Sequence, residues 1–257
     1  MTNVKDSGSD SLPVIRLVPN IVTLAGLCFG LFALKSAIAG KWELAVIYVL
    51  ISAVIDGMDG RLARLLNATS SFGAQLDSLA DFFNFGIAPA LILYMWMAHE
   101  IKGFGWAATL FFVICQVLRL ARFNVSLEES DDKEECDKYF KGVPAPCGAL
   151  LSLLPIMLTF LFKDNFAGAA AYITPLMVIS YMSLISILMV SNIPTISIKT
   201  ISIRRDLSYI ALSFLGILFV ALLIEPWFIL PAIGMGYLCT IPFSVYFYYR
   251  SELKKQK

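Results

Sequence analysis

With 257 residues, 58% hydrophobic and 15% charged, and a mean hydropathy of +0.77, the chain falls outside the usual balance of a soluble domain and reads as a multi-pass membrane protein. A formal net charge of +1 argues against nucleic acid as a partner. Five scattered cysteines (Cys28, Cys115, Cys136, Cys147 and Cys239) and one histidine leave no ligand cluster for zinc or haem.

The N-terminal segment, residues 1–16, is polar and contains Asp6 and Asp10, so it resembles neither a cleaved signal nor an Arg-rich transit peptide. Apolar stretches near 17–38, 43–64, 73–98, 104–123, 145–163, 168–192, 207–224 and 227–248 each have roughly the length needed to cross a bilayer. They predict an all-α polytopic membrane helix bundle of about eight transmembrane helices. A six-helix core spans 17–195, and two further helices with a short basic tail occupy 196–257. Short connections near 39–42, 99–103, 164–167 and 225–226 favour antiparallel helical hairpins. The segment Ser126 to Lys141 is too charged to span and reads as a solvated connector. The cysteines read as small buried apolar residues, and His99, alone beside Glu100, is a weak catalytic signal. With the N-terminus in the cytoplasm, every basic residue except Lys35, Lys41, Lys102 and Lys163 falls on the cytoplasmic side, as the positive-inside rule requires. Both termini are then cytoplasmic.

Four acids interrupt this apolar pattern: Asp56 and Asp59 at the end of the second span, Asp77 and Asp81 at the start of the third. A carboxylate at the centre of a membrane helix costs about 2.5–3.5 kcal/mol on insertion scales, so four facing lipid would be prohibitive. At helical spacing the members of each pair lie within about 60° of one another, and the two pairs can face each other across the turn that includes Asn67, Ala68, Thr69 and Ser70. Four hard oxygen ligands suit one or two magnesium-type cations that leave positions open for substrate phosphates. Gly57, Gly60, Ala63 and Gly73 remove bulk around the acids, and Arg64, with Arg61 in the same turn, offers a guanidinium fork suited to a pyrophosphate. Interhelical salt bridges alone would leave charge unpaired, since four acids outnumber two arginines.

The pattern Asp56-x-x-Asp59-Gly60-x-x-Ala63-Arg64, eight residues, Gly73-x-x-x-Asp77-x-x-x-Asp81 resembles the signature of the CDP-alcohol phosphotransferases. These membrane enzymes transfer a phosphatidyl or similar group from a CDP-linked donor to an alcohol and release CMP. The resemblance implies that Asp56, Asp59 and Asp77 bind Mg²⁺ or Mn²⁺, two ions per site, with Asp81 near the second ion and acting as general base. It also implies that Gly60, Arg64 and Ser70 contact the CDP moiety and that the chain pairs as a homodimer. Pro19, Asn20 and Thr23 resemble a Pro-Asn-x-x-Thr motif of the family's first span, which would put Asn20 near the nucleotide phosphates; a helix N-cap is the other reading of Asn20. Arg119-Leu120-Ala121-Arg122-Phe123-Asn124 and Phe140-x-Gly142-x-Pro144-x-Pro146 resemble segments of the family's serine-using membrane members.

The expected substrates are therefore CDP-diacylglycerol and L-serine, at the cytoplasmic face of a bacterial inner membrane. Arg119, Arg122 and Asn124 are candidates to bind the acceptor, although they also fit anchoring to anionic headgroups. Glycerol 3-phosphate, inositol phosphate or choline are alternative acceptors. An ion-coupled transporter is an alternative of another class, disfavoured because the acids lie near one surface and no inverted repeat is visible.

Overall fold

The computed structural model describes residues 14–128, 139–165, 173–196 and 205–255. The first thirteen residues, most of the charged connector with Cys136, and part of the connection before the sixth span lie outside the described residues. Each of the eight expected apolar stretches coincides with a helix or a helix pair: α1 Val18–Ile38, α2 Trp42–Leu65, α3 Ser71–Trp96, α4 Lys102–Glu128, α5 Ala145–Ser152 with α6 Leu154–Asn165, α7 Pro175–Val190, α8 Arg205–Ile224 and α9 Pro226–Lys255. Among the described residues, α1, α3, α4 with its leading turn and α9 are long and apolar enough to cross a membrane, and the α5–α6 pair makes a fifth crossing if taken as one bent span. The α2 acids and the 16-residue length of α7 keep those helices below that standard.

Local chemistry sets the helix limits. Pro19, Pro146 and Pro175 sit in first turns, where a missing N–H costs nothing. Ser70 and Thr174 cap α3 and α7 by accepting from the amides of Gly73 and Met177. The fifth span, expected as one helix, bends by 40° at Leu153. Pro155 explains the break, because its ring clashes with the carbonyl four residues back and it cannot donate the helical hydrogen bond. Inside α3, residues Phe82–Ile87 form a π-helical segment that directly follows Asp81. The α4 helix runs on to Glu128, so it takes the first residues of the expected connector. Two three-residue strands, β1 Tyr139–Lys141 and β2 Pro194–Ile196, pair antiparallel with Tyr139 opposite Ile196. They are an addition to an otherwise helical bundle.

The core is apolar and shared by several helices. Val46 and Val49 of α2, Ile92 and Leu93 of α3, Phe112 of α4 and Met182 of α7 are fully buried. Leu110, Ile114 and Leu118 of α4 are exposed, which is the side a bilayer would cover. The expectation for the cysteines holds for Cys115, which is buried, and fails for Cys28 and Cys239, which are exposed on outward faces. An apolar solvent removes the penalty for placing a small thiol there.

Close approach of α1 to α3 depends on glycine. A Cβ added at Gly30 would overlap Asn84 Oδ1 and lie 3.2 Å from the Phe83 ring. Replacement of Gly30 by Ala is expected to destabilise the bundle by about 1–3 kcal/mol, as overpacking does. A lowered midpoint in thermal unfolding of the detergent-solubilised protein checks this.

Candidate active site

The four acids converge because of the corner between α2 and α3. The chain leaves α2 with Asn67 in the left-handed region (φ 48°), and the Ala68 amide donates back to the Ala63 carbonyl at 2.9 Å. It then enters α3 through the Ser70 cap, whose Oγ accepts from Gly73 N at 3.0 Å. Asparagine tolerates this backbone conformation better than most residues. The reversal brings one ligand oxygen each from Asp56, Asp59 and Asp77 within 4.8 Å of one another. Asp81 lies close enough to Asp56, Asp77 and Asp59 to feel all three charges.

Asp59 is 4% exposed and held on both oxygens. Oδ1 accepts from the Gly60 amide at 2.6 Å, and Oδ2 accepts from the Thr23 hydroxyl of α1 at 2.7 Å. By contrast, Asp77 Oδ1 and Asp81 Oδ1 are buried without a hydrogen-bond partner. An orphaned buried acceptor costs about 1–3 kcal/mol, and more when charged. Closely spaced carboxylate oxygens of this kind fit a hard divalent cation, and no imidazole or thiolate is part of the group.

A cavity of about 320 Å³ opens beside the acids. Asn20, Gly60, Arg64 and Ser70 all line it, together with Thr23, Gly73, Asp59 and Asp77. The motif residues of three helices thus surround one space of the size that small-molecule sites occupy. Asn20 does not cap α1; Leu17 holds that position. The Asn20 side chain instead comes across to α3, where a Cβ on Gly73 would stand 3.0 Å from its Oδ1 and 3.2 Å from Ser70 Oγ. Around the corner, Met58, Leu65 and Phe72 turn outward, with Leu65 79% exposed.

The three acceptor candidates go to different places. Arg119 donates from Nε to the Val143 carbonyl at 2.6 Å and lies near enough to Asp81 to interact with its charge. Arg122 donates to the carbonyls of Val190 at 2.9 Å and Met189 at 3.4 Å, and to Asn192 Oδ1 at 3.0 Å. It therefore closes the carbonyl end of α7, where a cation is favourable. Asn124 Nδ2 donates to Ser78 Oγ at 3.1 Å, on the helix that carries Asp77 and Asp81. The Phe140-to-Pro146 segment has a geometric purpose. Gly142 has φ +80°, its amide donates to Ile193 O at 2.8 Å, and a Cβ there would stand 2.6 Å from Met189 O. Only glycine fits, and the next residue supplies the carbonyl that Arg119 holds.

Two residues of the region were not singled out from sequence. Thr23 stands in the sequence only as part of a short motif, and its bond to Asp59 joins residues 36 apart on two helices. Gln116 of α4, fully buried, sits in an apolar run that gives no hint of its surroundings.

The chain is similar to known proteins over most of its length. A family model described as CDP-alcohol phosphatidyltransferase matches residues 16–185, and a second, CDP-alcohol phosphatidyltransferase 2, matches residues 206–242. Among curated relatives, the Mycobacterium leprae protein named CDP-diacylglycerol–serine O-phosphatidyltransferase is 33% identical over 90% of this chain and 75% of its own length. The Mycobacterium tuberculosis H37Rv protein of the same name is 34% identical over 90% of this chain and 79% of its own. One from Helicobacter pylori 26695 is 37% identical over 70% of this chain and 71% of its own.

Replacing Thr23 with Val removes the hydroxyl on Asp59 Oδ2 while keeping the side chain's shape. The expected result is a loss of about 10- to 100-fold in divalent-cation affinity, the usual effect of removing a group that orients a metal ligand. A Mn²⁺ titration followed by thermal stabilisation measures it without recourse to activity.

Proposed function

The chain belongs to the CDP-alcohol phosphatidyltransferase family, and from that premise we propose that it transfers the phosphatidyl group of CDP-diacylglycerol to the hydroxyl of L-serine, giving phosphatidylserine and CMP. The observation that carries this reading is the cavity in which Asn20, Gly60, Arg64 and Ser70 surround a space bordered by Asp59 and Asp77. The relatives named above are all called serine O-phosphatidyltransferases, and the two acceptor-side segments extend the likeness beyond the metal motif.

In this reading Asp56, Asp59, Asp77 and Asp81 hold Mg²⁺ or Mn²⁺, with two ions per site. When bound, such ions supply charge stabilisation on the pyrophosphate and the departing CMP. Arg64 takes nucleotide phosphate oxygens through its guanidinium, Asn20 and Ser70 add neutral donors, and Gly60 leaves room for the nucleotide. Asp81 accepts the serine hydroxyl proton as the oxygen forms its bond to the lipid-bearing phosphorus and the bond to CMP breaks. Arg119, close to Asp81, offers charge for the serine carboxylate. Residues 17–195 form the catalytic membrane unit, and α8 and α9 complete the protein. The active site faces the cytoplasm of a bacterial inner membrane, and the protein works as a homodimer.

Purified protein supplied with labelled CDP-diacylglycerol and a panel of serine, glycerol 3-phosphate, inositol phosphate and choline tests the reaction. Metal-dependent CMP release with serine alone is expected; release with another acceptor replaces serine, and no release with any acceptor removes the enzyme reading in favour of a transporter. Asp81→Asn is expected to lower turnover by about 10²- to 10⁴-fold, the range for loss of a general base. Nucleotide binding, followed by fluorescence or calorimetry, should survive in that variant.

A further inference from the structure

Gln116 lies fully buried on α4, one turn before Arg119 and on the same helix face. Its Cγ stands 3.0 Å from where a Cβ would sit on Gly86, in the π-helical segment of α3. Gly86 follows Asp81 by five residues, so the wide π turn keeps it under the Asp81 face. Neither Nε2 nor Oε1 of Gln116 has a hydrogen-bond partner. Several buried hydroxyls in the bundle are satisfied locally: Ser52 donates to Val49 O at 2.8 Å, Thr109 to Gly105 O at 2.9 Å and Ser152 to Ala149 O at 2.7 Å. Asn84 Oδ1, Asp77 Oδ1 and Asp81 Oδ1 on α3 are also buried without a partner, but in Gln116 both polar atoms are unmet. A core that needed only volume there would be better served by methionine or leucine, since an amide with both ends unmet opposes folding.

Its position relates it to the acceptor side of the site. Arg119, one turn away, interacts with Asp81 and lies near Cys147 and Tyr237. Resting on the serine reading above, we propose that Gln116 is the residue that selects a small zwitterionic amino acid as acceptor. With the serine hydroxyl at Asp81 and its carboxylate at Arg119, Oε1 of Gln116 accepts from the ammonium group and Nε2 donates to the carboxylate. An amide carries both a donor and an acceptor, and so does an amino-acid head group. A phosphorylated acceptor offers oxygen acceptors only at its charged end and would leave Oε1 unmet. The amide is sealed from solvent in this state, so the acceptor enters past Asp81 and Arg119, and rotation of the glutamine's own side-chain bonds presents the amide to it.

The experiment uses the full-length protein in mixed micelles with CDP-diacylglycerol, comparing the parent with Gln116→Met. A rise of about 10- to 100-fold in KM for serine is expected, the size of losing hydrogen bonds to charged groups. The affinity for CMP should be unchanged, and the thermal midpoint should rise, because an unmet amide has left the core. An unchanged KM for serine, with or without the stability gain, overturns the proposal and leaves Gln116 as an internal structural or water-binding residue. Should Gln116→Met not fold, Gln116→Glu, which keeps the shape and loses the donor, is expected to raise the same KM, and an unchanged value overturns the proposal equally. A parent protein with no serine-dependent CMP release but activity on another acceptor overturns the serine reading itself, an outcome visible before any variant is compared.

Discussion

Carboxylate oxygens gathered within 4.8 Å of one another at the end of two helices repel each other, and at an effective dielectric of 20 two unit charges about 4 Å apart interact by about 4 kcal/mol. The corner between α2 and α3 cannot hold this arrangement alone. It is closed from a third side by α1, whose Thr23 hydroxyl reaches Asp59, and α1 can come that close because Gly26 and Gly30 present no side chain to α2 and α3. Small residues in the first helix and acids in the next two are therefore one design. The first gives the approach, and the second gives a cluster of carboxylates able to hold a cation.

The other half of the bundle is tied to this site at a distance. Arg122 joins α4 to the carbonyl end of α7, and Gly142 lets the intervening chain lie against the same end. Their combined effect is to bring the Val143 carbonyl to Arg119 and so to fix a guanidinium near Asp81. The last helix, α9, joins the core: Trp227 meets Phe160 edge to face at 4.7 Å, a Cβ on Gly234 would stand 2.7 Å from Leu154 Cδ1, and Ser244 donates to Pro194 O at 2.6 Å.

Much of this was legible in the chain. Apolar length located the helices, since backbone satisfaction in a membrane leaves helix as the main option, and the spacing of Asp56, Asp59, Asp77 and Asp81 placed each pair on one face. What stayed hidden depends on contacts between distant segments. The bend at Leu153 could have been anticipated from Pro155, whereas the π-helical turn after Asp81, in which Asn84 lies against Gly30 and Gly86 against Gln116, has no mark in the local sequence. Arg122 and Asn124 illustrate the limit on the site: a basic or amide residue at a helix end has several uses, and the sequence does not show that the Val190 carbonyl and Ser78 lie beside them.

The outward side chains beside the acids carry a consequence of their own. Met58, Leu65 and Phe72 present an oily flank at the very corner where Arg64 and Ser70 line the cavity. A substrate with a water-loving nucleotide at one end and two acyl tails at the other can be gripped by the head while its tails stay among their neighbours. Such an enzyme samples its lipid by sideways diffusion in two dimensions, so its rate follows the surface density of that lipid in the leaflet and not its amount per volume of suspension.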